Sequence, residues 1–297
     1  MRWWTGLSAI TDLVLALILI VGIPIAALVL GLFGATPQLV ASFAWILALS
    51  FIADGLMLLE VAGARATFFT LGWIAERYPA MVRRIVDQGH ELASHGYGHQ
   101  RASDLDEPAF FDDVDRAKRL LEDIGGQAVL GYRAPSFSIG DKNLWALDVL
   151  LRAGYRYSSS IYPVRHDHYG SPDAPRFAHE VRPGLLEVPP TTLRLFDRNL
   201  PSSGGGFFRL LPYPLSRWML QQVNRRDGEA AVFYFHPWEI DPEQPRVPGI
   251  DFKTRFRHYL NIAHTEQRLA RLLGDFAWGR MDQIFLGAAT RARGPGG

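Results

Sequence analysis

The chain has 297 residues, a formal net charge of +1 and no cysteine. That length suits one large domain or two small ones. The charge gives no general pull toward nucleic acid, and the missing cysteines exclude disulfides, thiolate metal ligands and a thiol nucleophile.

Charge is unevenly spread. Residues 1–60 carry only Arg2, Asp12, Asp54 and Glu60, and the other 57 charges lie in residues 61–297. The chain therefore divides into an apolar segment (1–60), a soluble domain (61–286) and a tail (287–297) expected to be disordered. Leu13–Phe33 is an uncharged run of 21 residues, and a bilayer core needs about 20. A second run, Leu39–Ile52 and then Leu56–Leu59, is interrupted by Asp54, which is costly near mid-membrane. Gly34–Pro37 reads as the turn between them. The segment is expected to form one or two transmembrane helices in contact with membrane lipid. Its orientation is undetermined, because the connecting loop has no lysine or arginine and Arg2 is the only basic residue before the runs.

In the soluble domain, Ala66–Leu71 is apolar and β-rich and reads as a buried strand. A helix is expected over 79–88, stopped by Gly89. Glu91–Ala93 leads into Ser94-His95-Gly96-Tyr97-Gly98-His99. A helix capped by Asp104 or Asp106 runs to about Ile124, with Phe110, Val114, Ala117, Leu120 and Leu121 at helical spacing. Val129–Tyr132 is a short strand before Arg133-Ala134-Pro135-Ser136-Phe137. A helix over 141–152 and strands at 155–159 and 185–188 follow. Gly204-Gly205-Gly206 reads as a loop that a ligand could approach closely. Ala230–Phe235 reads as a strongly apolar strand ending in His236-Pro237-Trp238-Glu239, and a last helix covers 265–273. Alternating strands and helices argue for an α/β fold with mainly parallel strands.

The notable polar groups all fall just after strands, where α/β folds collect their sites. His95 and His99, four apart with two glycines between, offer two imidazole nitrogens to one point, which suits a divalent ion such as zinc. The plainer alternative is a surface turn holding two histidines. Arg133 reads as a site residue or a surface ion pair, and His236 as a site residue or a satisfied strand-end histidine. Trp238 could stack on a sugar ring or simply pack. His166-Asp167-His168 has metal-like spacing but lies in a polar loop.

Together these stretches resemble the polysaccharide deacetylase family, the nodulation-factor deacetylase homology domain of carbohydrate esterase family four. The pattern is most similar to the exosortase-linked branch of exopolysaccharide loci. The resemblance covers about residues 58–286. It rests on Ala66-Thr67-Phe68-Phe69, Ser94–His99, Tyr132–Phe137, Gly204-Gly205-Gly206-Phe207-Phe208-Arg209 and Phe235–Glu239. It implies a distorted (β/α) barrel and a metal, most often zinc, held by an aspartate together with His95 and His99. It further implies a second aspartate as base, His236 as the acid that protonates the leaving amine, and Arg133 as the group orienting the base. Tyr97, Pro135, Phe137, Gly205 and Trp238 would contact substrate. The implied reaction is hydrolysis of N-acetyl groups on a polysaccharide, at a bacterial inner membrane.

The sequence departs from that pattern in two places. The family's first strand, which carries both aspartates, has no counterpart. Asp12 is followed by Leu13-Val14-Leu15 rather than a polar loop, and Asp54 lies too close to the Ala66 strand. The barrel is therefore expected to lack its first strand. Ser158 also stands where the family has an aspartate that tunes the catalytic histidine. Two functions follow from the mixture: a deacetylase impaired by these losses, or a non-catalytic, membrane-tethered glycan-binding or polysaccharide-assembly protein. A zinc peptidase is disfavoured, because no His-Glu-x-x-His occurs.

Overall fold

Short β-branched and aromatic runs, each followed by an amphipathic helix, build the centre of the molecule. A computed structural model describes residues 54–165, 170–244, 246 and 249–287, all within one compact unit that starts at residue 51. β1 (Thr67–Thr70), β2 (Glu91–Ser94), β3 (Gly131–Tyr132), β4 (Tyr157–Ser158), β5 (His179–Arg182) and β6 (Leu185–Glu187) form one sheet in the order β1-β2-β3-β4-β6-β5. All neighbours are parallel except β5 and β6. β7 (Thr192–Leu195) and β8 (Arg198–Pro201) make a separate hairpin.

α1 (Gly72–Arg77), α2 (Pro79–Asp87), α3 (Glu107–Gly125) and α4 (Trp145–Arg152) alternate with the first strands. α3 is the longest of these four. Asp106 caps it by accepting from Ala109 N at 3.0 Å, and Gly126 ends it in the left-handed conformation. Its buried stripe of Phe110, Val114, Ala117 and Leu121 follows the 3.6-residue period. Phe110, Val114 and Leu121 join Leu92, Tyr132, Leu147, Leu150 and Tyr155 in the largest core cluster. α5 (Gly205–Leu210), α6 (Tyr213–Gln222), α7 (Phe252–Tyr259) and α8 (Thr265–Asp275) make up the second half.

Three expectations change. Ala230–Phe235 has the composition of a strand but belongs to no ladder. A strand needs a hydrogen-bonded neighbour, and the main-chain contact of this run is Thr191 N donating to Val232 O at 3.2 Å. β1 is likewise an edge, with Thr67, Phe68 and Phe69 only half-buried. Among the described residues the strands of the expected distorted barrel, which was to lack its first strand, form an open sheet, and a groove of about 810 Å³ separates β1 from residues 231–236.

The third change concerns the end of the expected second span. Residues 54–61 are helical, and Leu56 and Leu59 are buried within the folded unit. Leu59 packs with Ala64, Leu269 and Leu272. Among the described residues no helix is long and apolar enough to cross a membrane. Leu13–Phe33, Leu39–Ile52 and nearly all of the expected tail lie outside the described residues.

Candidate active site

The parallel register brings the expected groups together. Ser94 at the end of β2 pairs with Tyr132 at the end of β3, so His95 and Arg133 emerge side by side. His95 Nδ1 lies 2.7 Å from Arg133 O. A carbonyl only accepts, so Nδ1 carries the proton and Nε2 keeps its lone pair, the arrangement a metal-ligating histidine requires. Burial pushes the His95 imidazole down to about 3, so it is neutral at pH 7. His99, whose ring centroid lies 5.1 Å from that of His95, is also lowered, first by burial and then by His236.

The turn between them is held from α3. Asp113 accepts from Tyr97 N at 2.9 Å and from Gly98 N at 3.1 Å. A Cβ on Gly96 would stand 2.5 Å from the same carboxylate. Glycine at 96, where φ is +79°, therefore meets both a steric and a conformational demand. Asp113 escapes sequence reasoning because it belongs to a distant helix and has no local signature.

Arg133 is buried. It donates through Nε to Ser159 O at 3.2 Å and through Nη2 to Ser159 Oγ at 2.8 Å. Its guanidinium lies 4.1 Å from the Phe69 ring centroid. Burial lowers it to about 10, which still leaves a cation at neutral pH. Ser158 is buried and bonds Ser160 Oγ at 2.9 Å. The carboxylate nearby is Glu187 of β6, whose Oε1 accepts from Ser160 N and Ile161 N, both at 2.8 Å. Burial raises Glu187 to about 7, against the opposing effect of those N–H groups, the Ser158 hydroxyl and Arg133.

His236 follows the extended run, with its side chain 56% exposed. Its Nδ1 donates to Glu239 Oε2 at 3.2 Å, and its backbone N donates to the same oxygen at 2.8 Å. The other oxygen of Glu239 accepts from Arg209 Nε at 3.1 Å and lies 3.1 Å from Nη2 in an ion pair. Trp238 stacks on the His236 ring (5.7 Å, 18°) and the His258 ring (4.2 Å, 13°).

His95, His99, Arg133, Phe137, His236 and Trp238 all line the groove. Three expected contacts do not. The Tyr97 hydroxyl donates to Glu76 at 2.7 Å and accepts from Arg116 Nη2 at 2.8 Å, which draws the ring away to the α1–α3 surface. Pro135 is buried at the start of a short helical turn. Gly205 opens α5, and the place of its missing Cβ is taken by the Glu239 carboxylate. His166-Asp167-His168 and Asp12 lie outside the described residues. Asp54 sits in the 54–61 helix, where burial and then Glu266 and Asp241 raise its pKa.

The two imidazoles suit two positions of a divalent ion's shell. Among the described residues, however, no group of three His, Cys, Asp or Glu side chains completes it. Among the described residues no aspartate joins His95 and His99 in the role the family resemblance gives the first strand.

Comparison with known proteins finds a family likeness for the first part of this fold. Residues 49–158 match the model of the polysaccharide deacetylase family.

This stretch is similar to polysaccharide deacetylase domains.

Residues 159–286 match a second family model, described as a domain of unknown function. Arg133, His95 and His99 therefore sit in the stretch that matches the deacetylase model and His236 in the second matched region. A chitooligosaccharide deacetylase of Bradyrhizobium sp. (strain ANU 289) is 32% identical over 126 residues, which is 41% of this chain and 55% of that protein. A peptidoglycan-N-acetylglucosamine deacetylase of Bacillus cereus is 31% identical over 91 residues, 30% of this chain and 33% of that protein. The chain thus spans about a third to a half of the length of these curated relatives. A Mycobacterium smegmatis structure described as a polysaccharide deacetylase superposes with a TM-score of 0.53 at 21% identity, over 82% of this chain and 77% of that one. That likeness is one of fold.

Proposed function

We propose that this chain is a metal-dependent deacetylase that hydrolyses N-acetyl groups on a polysaccharide, of the kind exported as exopolysaccharide, beside a bacterial inner membrane. The observation that carries the reading is the convergence of His95, His99, Arg133 and His236 on one groove. The deacetylase names of the relatives support the substrate class. The uncharged run Leu13–Phe33 supports a membrane location.

His95 and His99 would hold the ion through neutral imidazoles. When bound, such an ion polarises an amide carbonyl and acidifies a water. The remaining work falls to the chain's own groups. Arg133 presents a buried positive charge beside His95, suited to holding a carboxylate or an oxyanion. His236, with Nδ1 committed to Glu239, directs Nε2 chemistry to the groove and delivers the proton that lets the sugar amine leave. Phe137 and Trp238 supply apolar walls on which a pyranose ring can lie. Water adds to the acetyl carbon, the C–N bond breaks, and acetate and a free amine result.

The test is acetate release from N-acetylated chito-oligosaccharide by the full chain in detergent with added zinc. Release that is lost in both His95→Ala and His236→Ala supports the reading, and a wild-type chain that releases no acetate overturns it. A second reading follows from the absence of a carboxylate base beside the two histidines among the described residues. It makes the chain a glycan-binding or polysaccharide-assembly protein that retains the groove, and binding of the oligosaccharide without acetate release selects it.

A further inference from the structure

We propose that Glu239 is the positioning residue of His236: it fixes the Nδ1–H tautomer and stabilises the imidazolium, with Arg209 holding Glu239 in place. The inference rests on the acid role given to His236 above.

The contacts divide cleanly. Glu239 Oε2 faces His236 alone, accepting from its backbone N at 2.8 Å and from Nδ1 at 3.2 Å. Oε1 faces Arg209, through Nε and Nη2. Arg209 is itself anchored by donating to the carbonyls of Arg257, His258 and Leu260 at 2.8–3.1 Å. Glu239 and Arg209 are buried, with side chains 2% and 3% exposed, whereas His236 faces the groove. A carboxylate can only accept, so the shared proton belongs to Nδ1 and the groove meets Nε2. In a free imidazole the proton prefers Nε2, so this contact selects the minor tautomer. The logic matches that of a buried aspartate behind a catalytic histidine.

His236 lies near enough to His95, His99 and His258 to lower the proton affinity of each. Arg209 adds a positive charge on the far side of Glu239. The Glu239 carboxyl is itself held below the usual range. Burial would raise it, but His236 and Arg209 outweigh that effect. Ser158 offers no charge, so the carboxylate behind the histidine comes from three residues downstream of it.

Room for this carboxylate is built into the chain. A Cβ on Gly205 would lie 2.0 Å from Glu239 Oε2 and 2.2 Å from Oε1. Gly205 thus makes space for a side chain of the protein itself.

The experiment is long-range ¹H–¹⁵N NMR of the histidine ring nitrogens in the full metal-free chain, comparing wild type, Glu239→Gln and Glu239→Ala across pH 5–9. The expected wild-type His236 signal is the Nδ1–H tautomer. Glu239→Gln should lower the His236 pKa by about half to one unit. Glu239→Ala should return the ring to the ordinary mixture dominated by Nε2–H. The His95 tautomer, set by Arg133 O, reports intact folding in both. If the alanine variant does not fold, the glutamine variant alone decides through the pKa. An Nε2–H wild-type ring, or a His236 pKa unmoved in Glu239→Gln, overturns the proposal. Acetate release is scored separately: a wild type with the Nδ1–H ring but no release overturns the proposed function and leaves the positioning role standing.

Discussion

Substituting the second glycine of Gly204-Gly205-Gly206 tests the packing beneath His236. The Gly205→Ala methyl would stand 2.0–2.3 Å from three atoms of the Glu239 carboxyl group, and ordinary contact begins near 3.4 Å. The carboxylate must retreat by more than an ångström. Its bonds to Arg209 at 3.1 Å and to His236 at 2.8 and 3.2 Å cannot all survive that displacement. Overpacking costs about 1–3 kcal/mol, and breaking a buried ion pair about 3–5 kcal/mol. A loss of about 3 kcal/mol is therefore expected. With a urea m-value of about 3 kcal/mol/M, the unfolding midpoint should fall by about 1 M. Gly206 is the control, because its Cβ would meet nothing within 4 Å. Gly206→Ala should be neutral or stabilising by up to about 1 kcal/mol. Equal midpoints for Gly205→Ala and wild type would refute the reasoning.

Three further predictions follow from particular contacts. Asp113→Asn keeps the side-chain shape but weakens the bonds to Tyr97 N and Gly98 N, and should reduce zinc affinity by about 10–100-fold in calorimetric titration. His90 accepts from Ala66 N through Nδ1, and burial lowers it from 6.5 to about 4. Below pH 6.5 the unfolded chain binds this proton and the folded chain does not. The stability from neutral His90 is thus complete above pH 6.5 and falls as pH drops toward 4, a slope that His90→Gln should flatten in urea titrations. Glu187 shows the opposite trend. Its folded pKa is raised from 4.5 to about 7, so stability declines as pH rises through that interval. Glu187→Gln keeps an acceptor for Ser160 N and Ile161 N and should remove the decline, raising stability at pH 8 relative to wild type.

Local signals made much of the fold legible. The stripe Phe110, Val114, Ala117 and Leu121 announced α3, with Asp106 and Gly126 at its ends. The histidines after β2, Arg133 after β3 and His236 were legible because each follows an apolar extended run. Ala230–Phe235 was misread because composition measures the tendency to be a strand, while a ladder needs a neighbour on an adjoining edge. The place of Tyr97 was set by Glu76 and Arg116, partners 21 and 19 residues away. Glu239 carried a visible sign, a carboxylate three residues after a histidine at the start of a helical turn. Its contact with Arg209, 30 residues earlier, was not legible. The triple glycine was read as a ligand approach, because sequence cannot show which neighbour fills the space it leaves.

The central claim is that His95 and His99 bind a divalent ion at the head of the groove. Its most direct test is titration of the full, metal-free chain with cobalt(II), following the ligand-field absorption. The account predicts one ion per chain, displaced by zinc, with binding lost in both His95→Ala and His99→Ala. An absorption that is absent in the wild type, or unchanged in the two variants, would contradict it.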